Sequence, residues 1–216
     1  MNALSPREAY RLWAPTYAGE TAISFLDDEL VTALSPPLAG KRLLDAGCGT
    51  GRRLRKNDAS LAIGVDLSSE MLAAGDIANV AAADVRALPF GDAAFDIAWC
   101  RLVLGHLADP LPAYREMARV CVSHAFLVVT DFHADAVAAG HRRTFRDGVG
   151  ELHGIEHHVH DHAVFAKAAG FELVDERAGS IGPSVEPFYV RAGRRDVYTR
   201  DKGLAVVSAF LFQRAG

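Results

Sequence analysis

A glycine-rich turn placed directly after an apolar run is the feature that most constrains the fold of this chain. The apolar run ends at Asp45, and glycines then occupy the alternate positions Gly47, Gly49 and Gly51. This pattern predicts a first parallel strand that ends at Asp45, a tight turn and the start of a helix. Glycine has no Cβ, so it tolerates positive φ and lets a ligand lie against the backbone. Because open α/β sheets bind ligands at the carboxyl ends of their strands, we expect a ligand at this turn.

The residues around the turn restrict which ligand it can hold. The phosphate loop of nucleoside triphosphatases needs Gly-Lys-Ser/Thr, but Gly51 is followed by Arg52 and Arg53. The dinucleotide fingerprint needs its third glycine at position 52, where this chain has an arginine. A second acidic residue, Asp66, ends the next apolar run, 21 residues after Asp45. An acid at the tip of a second strand can accept hydrogen bonds from both hydroxyls of a ribose, which indicates a nucleoside ligand.

Apolar runs alternate with helical patterns along the chain. Further strands are predicted at 61–65, 80–83, 95–100, 126–130, 171–174 and 204–212, and helices at 21–34, 50–57, from Ser68, from Asp109-Pro110 and at 161–170. Strands that alternate with helices from 43 to 131 require a parallel sheet with right-handed crossovers. We therefore expect an α/β fold with helices on both faces of the sheet.

The spacing Asp45-x-Gly47-x-Gly49-x-Gly51 resembles motif I of the class I S-adenosylmethionine-dependent methyltransferases. Within that class the chain is similar to the methyltransferase-11-like group, which includes enzymes of ubiquinone and biotin synthesis and small-molecule tailoring enzymes. The resemblance covers residues 10–131 well and 161–213 in outline. It implies a Rossmann-like fold with a seven-stranded, mostly parallel sheet and an antiparallel last strand. It also implies S-adenosyl-L-methionine as the cofactor.

Length and composition narrow the class of protein further. With 216 residues, 50% of them apolar, the chain is expected to fold as one domain around one core. A formal charge of −4 gives no general attraction to nucleic acid or anionic membranes, and no apolar run approaches the ~20 residues of a membrane span. The N-terminus lacks the apolar core of a signal peptide and the three cysteines are widely spaced, which indicates a cytoplasmic protein. The expected partner is a small-molecule methyl acceptor, and the oligomeric state stays open.

The resemblance also assigns parts of the chain to the cofactor. Within a single domain of residues 1–216, it implies a helical cap at 1–36, a cofactor-binding half at 37–131, and substrate-side insertions at 132–160 and 179–203. In the relatives, the acid after the third strand pairs with the adenine amino group, and an aromatic segment matching 10–17 folds over the methionine end. For that segment, an amphipathic cap without ligand contact is the alternative. The implied cofactor-binding residues are Tyr10, Tyr17, Asp45, Ala46, Gly47, Cys48, Gly49, Gly51, Asp66, Leu67, Asp84, Val85, Cys100 and Arg101.

Methyl transfer is an in-line displacement from an already activated donor, so the protein chiefly orients the reactants and excludes water. An oxygen or nitrogen nucleophile that must lose a proton gains from a general base with a pKa near neutrality, which is usually histidine. His106, after the fourth strand, and His133, after the fifth, are the two candidate catalytic bases. For His106 the alternative is a histidine that only caps or packs within its loop.

Five histidines lie between positions 153 and 162, after an Asp147-Gly148 turn signal that predicts a hairpin over 143–160. On a continuous strand Glu156, His158 and His160 would share one face, where they could ligate zinc. The alternative is a polar lid, and no metal is assigned because methyl transfer needs none. Arginines before the hairpin could hold an acceptor carboxylate or phosphate, or could form a solvated face. The implied acceptor contacts are Arg142, Arg146, His157, His158 and His160.

These observations predict an enzyme, namely an S-adenosylmethionine-dependent methyltransferase that acts on a small organic acceptor through O-, N- or C-methylation. Two alternatives stay open. A carboxyl methyltransferase of an acyl-carrier thioester would dock its acidic carrier through Arg52, Arg53, Arg55 and Lys56. A non-catalytic S-adenosylmethionine-binding regulatory protein would have no cavity beyond the cofactor. No motif in the chain identifies the acceptor.

Overall fold

The computed structural model describes residues 3–17, 19–55 and 57–216. Within these residues, strands and helices alternate along most of the chain. In chain order the elements are β1 (Ala3–Leu4), α1 (Pro6–Trp13), α2 (Ala22–Leu34), β2 (Arg42–Ala46), β3 (Leu61–Asp66), α3 (Ser69–Gly75), β4 (Val80–Ala82), β5 (Phe95–Arg101), α4 (Leu111–Val120), β6 (Cys121–Phe132), α5 (Ala134–Ala138), β7 (Thr144–Arg146), β8 (Leu152–Ile155), α6 (His162–Ala168), β9 (Phe171–Ser180), α7 (Glu186–Arg191), α8 (Arg195–Asp201) and β10 (Ala205–Arg214).

A seven-stranded sheet with the order β4-β3-β2-β5-β6-β10-β9 forms the centre of the molecule. The strands from β2 to β6 run parallel, and β10 lies antiparallel between β6 and β9. The predicted α/β fold, with its mostly parallel sheet and antiparallel last strand, is confirmed. The strand order reverses at β2, because β3 lies on one side of it and β5 on the other. The glycine turn that follows β2 therefore lies where such sheets bind ligands.

Helices cover both faces of this sheet because successive strand residues enter opposite layers. Leu43 packs in a layer with Leu26 of α2, whereas Leu44 packs in the layer that contains Tyr114 of α4. Leu43, Leu44 and Tyr114 are fully buried. Burial on both faces explains why these strands read as continuous apolar runs.

Polar side chains cap the first two helices. The side chain of Ser5 caps α1, and Thr21 caps α2 through a reciprocal capping box. The helix expected at 50–57 is wrong, because only a 3₁₀ turn at Arg52–Arg55 follows the glycines. Gly51 has a φ of +63°, which a right-handed helix cannot include. A helix could therefore begin only after Gly51, and few residues are left for it before β3 begins. None of the helices in the described ranges has the length and apolar character needed to cross a membrane.

A small sheet joins the N-terminal residues to the segment after α5. Its order is β1-β8-β7, with β8 parallel to β1 and antiparallel to β7. The predicted hairpin is confirmed as β7 and β8, but the second strand ends at Ile155. The expectation that Glu156, His158 and His160 share one face of a strand is therefore wrong.

Candidate functional site

The turn after β2 is closed by backbone hydrogen bonds onto the end of β3. The N–H groups of Gly47 and Cys48 both donate to Val65 O, at 2.7 and 2.9 Å. Gly47 has a φ of +82°, and a Cβ there would collide with Cγ2 of Val103. Backbone conformation and space therefore both exclude a side chain at this position. Gly47, Cys48 and Gly49 line a cavity of about 1310 Å³.

Asp66, at the end of β3, forms part of the cavity wall together with Leu67. Its Oδ2 accepts a hydrogen bond from Gly49 N at 2.8 Å, and its Oδ1 accepts one from Ser68 N at 2.9 Å. Burial raises the pKa of Asp66, and these two hydrogen bonds oppose the rise. Each carboxylate oxygen keeps further acceptor capacity, so the side chain can also accept ribose hydroxyls.

Asp84 and Val85, which follow β4, line the same cavity. Arg86 binds the Asp84 carboxylate through two nitrogens, with Nε 2.9 Å from Oδ1 and Nη2 2.6 Å from Oδ2. These hydrogen bonds lower the pKa of Asp84 and so keep it ionised. An ionised carboxylate has about four acceptor positions, which leaves capacity for the amino group of an adenine.

Four of the implied cofactor residues lie behind the wall: Asp45, Ala46, Gly51 and Cys100. Ala46 and Cys100 are fully buried within the sheet. Asp45 is 1% exposed, and its Oδ2 has no hydrogen-bond partner among the described residues. Burial raises the pKa of Asp45 to about 6. These residues support the cavity wall from behind and are not exposed to the cavity.

Arg101 lines the cavity from the end of β5 and belongs to a buried ionic cluster. Its Nη2 lies 2.8 Å from Oδ2 of Asp27, a carboxylate with no exposed surface. Nη2 of Arg53 lies 2.7 Å from the same oxygen, and Thr130 Oγ1 donates to the other oxygen at 2.6 Å. Arg101 therefore ties α2 to the sheet while its side chain forms part of the wall.

The aromatic segment that starts in α1 closes one side of the cavity. Tyr10, Trp13 and Tyr17 all line it. Trp13 stacks on Phe145 of β7 with their ring centroids 5.1 Å apart, and Ala9 is buried in the same cluster. The helical cap and the β7–β8 hairpin thus pack as one unit over the cavity.

His106 lies on the cavity wall in the loop after β5 and is held at both ring nitrogens. Its Nδ1 lies 3.0 Å from Glu156 O, which can only accept, so Nδ1 carries the proton. Its Nε2 is then an acceptor, and it lies 3.1 Å from the hydroxyl of Tyr10. Burial, followed by repulsion from Arg143, lowers the pKa of His106 to about 3, below the near-neutral value expected for a base. The ring is therefore a neutral acceptor at physiological pH.

His133, the second candidate base, does not line the cavity. Its Nδ1 accepts a hydrogen bond from Asp135 N at 3.1 Å and so caps α5. Of the two candidates, the structure brings only His106 to the cavity.

The histidines expected to contact the acceptor are instead bonded to the protein. His157 Nε2 lies 2.8 Å from Oδ1 of the buried Asp131. His160 Nε2 lies 2.8 Å from Leu107 O, and the backbone N–H of His158 donates to the same loop after β5 at 2.7 Å. None of these three histidines lines the cavity. Instead of contacting the acceptor, these residues hold the segment 156–160 against the end of β6 and the loop after β5.

The arginines that precede the hairpin separate into different environments. Arg142 is exposed and lines the cavity, as expected for an acceptor contact. Arg146 does not line it, because its Nη1 donates to Gly150 O at 2.7 Å within the hairpin. Arg143, the third of the arginines that precede the hairpin, is 9% exposed and lines the cavity. A single buried arginine in a loop has no periodic sequence signal, so only the tertiary structure distinguishes it from its neighbours.

The cavity wall is rich in cations although the chain carries a net negative charge. Ten arginines line it, against the three acids Glu20, Asp66 and Asp84. Four of the arginines are paired with carboxylates, namely Arg52, Arg53, Arg86 and Arg101. The other six form no ion pair within the described part of the chain, namely Arg7, Arg55, Arg142, Arg143, Arg191 and Arg194. A concave wall of this charge favours an anionic ligand.

One group of side chains among the described residues has the spacing of a metal site, and it lies in the hairpin. The ligand atoms of Asp147, Glu151 and His153 are within 4.8 Å of one another. His153 Nε2 lies 2.9 Å from Asp147 Oδ2, while Oδ1 of Asp147 accepts two backbone N–H groups. These bonds close the hairpin turn, and they account for the arrangement without a metal.

In its sequence, the chain is similar to known methyltransferases. A family model described as a methyltransferase domain matches residues 44–129. The chain is 29% identical over 212 residues to a 27-O-demethylrifamycin SV methyltransferase of Amycolatopsis mediterranei, covering 90% of this chain and 76% of that protein. It is 27% identical over 143 residues to a malonyl-[acyl-carrier protein] O-methyltransferase of Erwinia billingiae, covering 63% of this chain and 57% of that protein. The chain thus spans about three quarters of one relative and little more than half of the other.

Solved structures agree with the sheet described above. An S-adenosylmethionine-dependent methyltransferase from Mesorhizobium loti is similar with a TM-score of 0.65 and 19% identity. The similarity covers 88% of this chain and 98% of that one. At this identity the likeness concerns the fold alone.

Proposed function

We propose that this chain, a class I S-adenosylmethionine-dependent methyltransferase, methylates an oxygen of a small organic acceptor. The observation that carries this proposal is the acceptor nitrogen of His106, which faces the cavity with its lone pair directed at a hydroxyl group. The names of both relatives refer to methylation at oxygen, which supports oxygen as the atom methylated.

The residues around the turn fit the cofactor. Gly47 leaves the backbone bare at the cavity, Asp66 offers acceptors for ribose hydroxyls, and Asp84 offers one for the adenine amino group. When bound, S-adenosylmethionine supplies a methyl group on a positively charged sulfur. The cavity of about 1310 Å³ exceeds the roughly 300–1,000 Å³ of an ordinary ligand pocket, so an acceptor has room beside the cofactor.

His106 is proposed to orient the methyl acceptor by accepting a hydrogen bond from the acceptor's hydroxyl group at Nε2. Tyr10 OH now occupies the position at Nε2 that an acceptor hydroxyl would take. Burial raises the pKa of Tyr10, so its hydroxyl stays protonated and can only compete as a donor. A hydrogen bond from the acceptor to Nε2 increases electron density on the acceptor oxygen, which favours its attack on the methyl group. The aromatic cap excludes water from this position.

The two alternative functions are less well supported. Docking of an acyl carrier would need free cations, but Arg52 and Arg53 are engaged with Asp28 and Asp27 at 2.9 and 2.7 Å. Lys56, the last residue of that predicted surface, lies outside the described residues. A regulatory protein without an acceptor is disfavoured by the size and the mixed aromatic and cationic lining of the cavity.

The proposal also covers the compartment in which the enzyme acts and one class of substrate that it does not take. Cys48, Cys100 and Cys121 are free and buried, as is typical of proteins in reducing compartments. Together with the absence of a net positive charge, this supports a cytoplasmic enzyme that does not take nucleic acid as its substrate.

The test is transfer of label from methyl-labelled S-adenosylmethionine to a panel of small hydroxylated, aminated and carbon-acid compounds. We expect label in ether or ester products, and loss of most of that transfer in His106→Ala with S-adenosylhomocysteine affinity retained. Label found only on nitrogen or carbon would overturn oxygen methylation. Cofactor binding without transfer to any member of the panel, endogenous metabolite extract included, would favour the regulatory alternative.

A further inference from the structure

We propose that Arg143 binds an oxyanion of the methyl acceptor, so that the enzyme selects acceptors that join a carboxylate to an aromatic body. This inference rests on the proposed function and narrows the class of its substrate. It is independent of which oxygen of the acceptor is methylated.

The guanidinium of Arg143 is buried without a carboxylate partner in the described part of the chain. Only 9% of the residue is exposed, yet it lines the cavity. Nη1 donates to Leu102 O at 3.2 Å, and no other hydrogen bond of this side chain is formed with a described residue. Because arginine carries five N–H donors, most of the fork is left to face the cavity.

Two aromatic rings hold this guanidinium in place. Its Cζ lies 5.8 Å from the ring centroid of Tyr10 and 5.8 Å from that of Phe132. Contacts with aromatic faces partly offset the cost of burying a cation, and they leave the N–H edge free. Leu102, whose carbonyl is the hydrogen-bond partner, has a φ of +58°, an uncommon conformation for leucine. The carbonyl that Arg143 binds therefore belongs to a residue in an uncommon backbone conformation in the loop after β5.

The position of Arg143 relative to the sheet favours the acceptor over the cofactor as the source of the anion. Asp66 at the end of β3 and Asp84 after β4, the acids that fit the ribose and the adenine, lie on one side of the glycine turn. Arg143 contacts Leu102 after β5 and Phe132 at the end of β6, on the other side of that turn. His106, the proposed hydrogen-bond acceptor, lies on this same side.

The chemistry of the site identifies the class of anion. A planar fork of N–H donors matches a carboxylate with two parallel hydrogen bonds. Tyr10 and Phe132 lie against Arg143, and Phe188 and Tyr189 line the same cavity, so its wall suits an aromatic body. A buried cation without an anion is costly, so a carboxylate ligand is favoured over a neutral one of equal shape.

The test compares benzoate with its neutral counterpart benzamide, both titrated into the full chain saturated with S-adenosylhomocysteine. We expect the wild-type protein to bind benzoate at least tenfold more tightly than benzamide. Arg143→Gln should remove this preference, with unchanged affinity for S-adenosylhomocysteine. Arg115→Gln, which removes an exposed charge on α4, is the matched control and should leave both ligands unaffected. If Arg143→Gln does not fold, Arg143→Lys keeps the charge without the fork and should weaken benzoate binding severalfold.

Three outcomes would overturn the proposal. Equal binding of benzoate and benzamide by the wild-type protein would show that the site has no preference for an anion. Loss of S-adenosylhomocysteine affinity in Arg143→Gln, with benzoate binding retained, would assign Arg143 to the carboxylate of the cofactor. Loss of neither ligand would make the residue a structural cation. Failure of the wild-type chain to bind S-adenosylhomocysteine at all would contradict the proposed function instead.

Discussion

Asp131 fastens His157 to the end of β6, with Oδ1 of the carboxylate 2.8 Å from Nε2 of the ring. The other oxygen faces His162 Nε2 at 3.3 Å, a contact too poorly aligned to be a hydrogen bond. A Cβ on Gly105 would collide with His157 and come within 2.7 Å of the carboxylate. This contact therefore holds together the end of β6, the loop after β5 at Gly105 and the segment 156–160. Glu156 of that segment supplies the backbone carbonyl that orients His106.

Asp131→Asn should lower the free energy of unfolding by about 1–3 kcal/mol, because it weakens charge-assisted hydrogen bonds within a buried site. Burial alone would raise the pKa of Asp131, but the hydrogen bond with His157 and the nearby rings of His157 and His162 outweigh it and hold the pKa below 3.8. Since the pKa is lower in the folded than in the unfolded state, this stabilisation is present above about pH 4 and is lost at lower pH. Urea unfolding from pH 7 down to pH 3 measures the difference between wild type and variant.

The matched control for this change is Asp175→Asn on β9, whose partner Arg177 is exposed. An exposed ion pair contributes about 0–1 kcal/mol, so this variant should unfold much like the wild type. A difference for Asp131→Asn that stays constant down to pH 3 would mean that its carboxylate is not stabilised as described.

Gly47→Ala should reduce affinity for S-adenosylhomocysteine by at least tenfold. The new Cβ would occupy a φ of +82° and meet Val103, so the turn must move away from its present shape. Gly91→Ala is the control, since a Cβ at Gly91 has no heavy atom within 4 Å and the residue does not line the cavity. Calorimetric titration of both variants is decisive, and equal affinities would remove the turn from the cofactor site.

Asp66→Ala should weaken S-adenosylhomocysteine binding by about 1–3 kcal/mol, because ribose hydroxyls would lose their acceptors in a partly buried site. Titration calorimetry measures this, and Glu176→Ala, at an exposed position on β9, serves as the control. Thermal unfolding without ligand separates loss of contact from loosening of the turn, since Asp66 also accepts from Gly49 N. Unchanged affinity in a folded variant would exclude a ribose contact.

The sheet could be predicted because its strands are apolar runs that end in acids or glycines. Asp45 lies near the end of β2 and Asp66 at the end of β3, and Gly47 lies in the turn that follows β2. These signals are local, so they survive without knowledge of the tertiary structure. The two-residue strand β1 could not be foreseen, since its pairing with β8 joins segments about 150 residues apart in the chain.

The cofactor side of the site was more predictable than the acceptor side, for the same physical reason. Asp66 ends one strand and Asp84 lies just after another, so the strands fix their positions, whereas Arg143 lies in an irregular loop and is buried only by tertiary contacts. His158 and His160 are placed on one face by strand alternation, which fails because β8 ends at Ile155. Once regular structure ends, spacing no longer determines the direction of a side chain.

Variants of His106 and His133 separate the two bases that the sequence suggested. His106→Ala should lower kcat about tenfold, because the acceptor hydroxyl loses its hydrogen-bond partner at Nε2. His133→Ala should instead cost about 1 kcal/mol of stability, through loss of the α5 cap at Asp135 N, with little change in kcat. Initial rates of label transfer, with S-adenosylmethionine saturating, measure both. A larger loss of kcat in His133→Ala than in His106→Ala would reverse the assignment.

The last prediction concerns the cap and the hairpin, which meet where Trp13 stacks on Phe145. Such an aromatic pair contributes about 0.5–1.5 kcal/mol beyond its buried area, and it is the main aromatic contact between α1 and β7. Trp13→Ala should therefore increase hydrogen exchange in residues 6–13 and 144–155 together, because the two segments open as one unit. Phe90→Ala removes an aromatic pair of similar size, with Phe95 at 4.9 Å and away from the cavity, and should leave both segments protected. Faster exchange confined to α1 would show that the hairpin is held independently, and the cavity would then be covered by two separate elements.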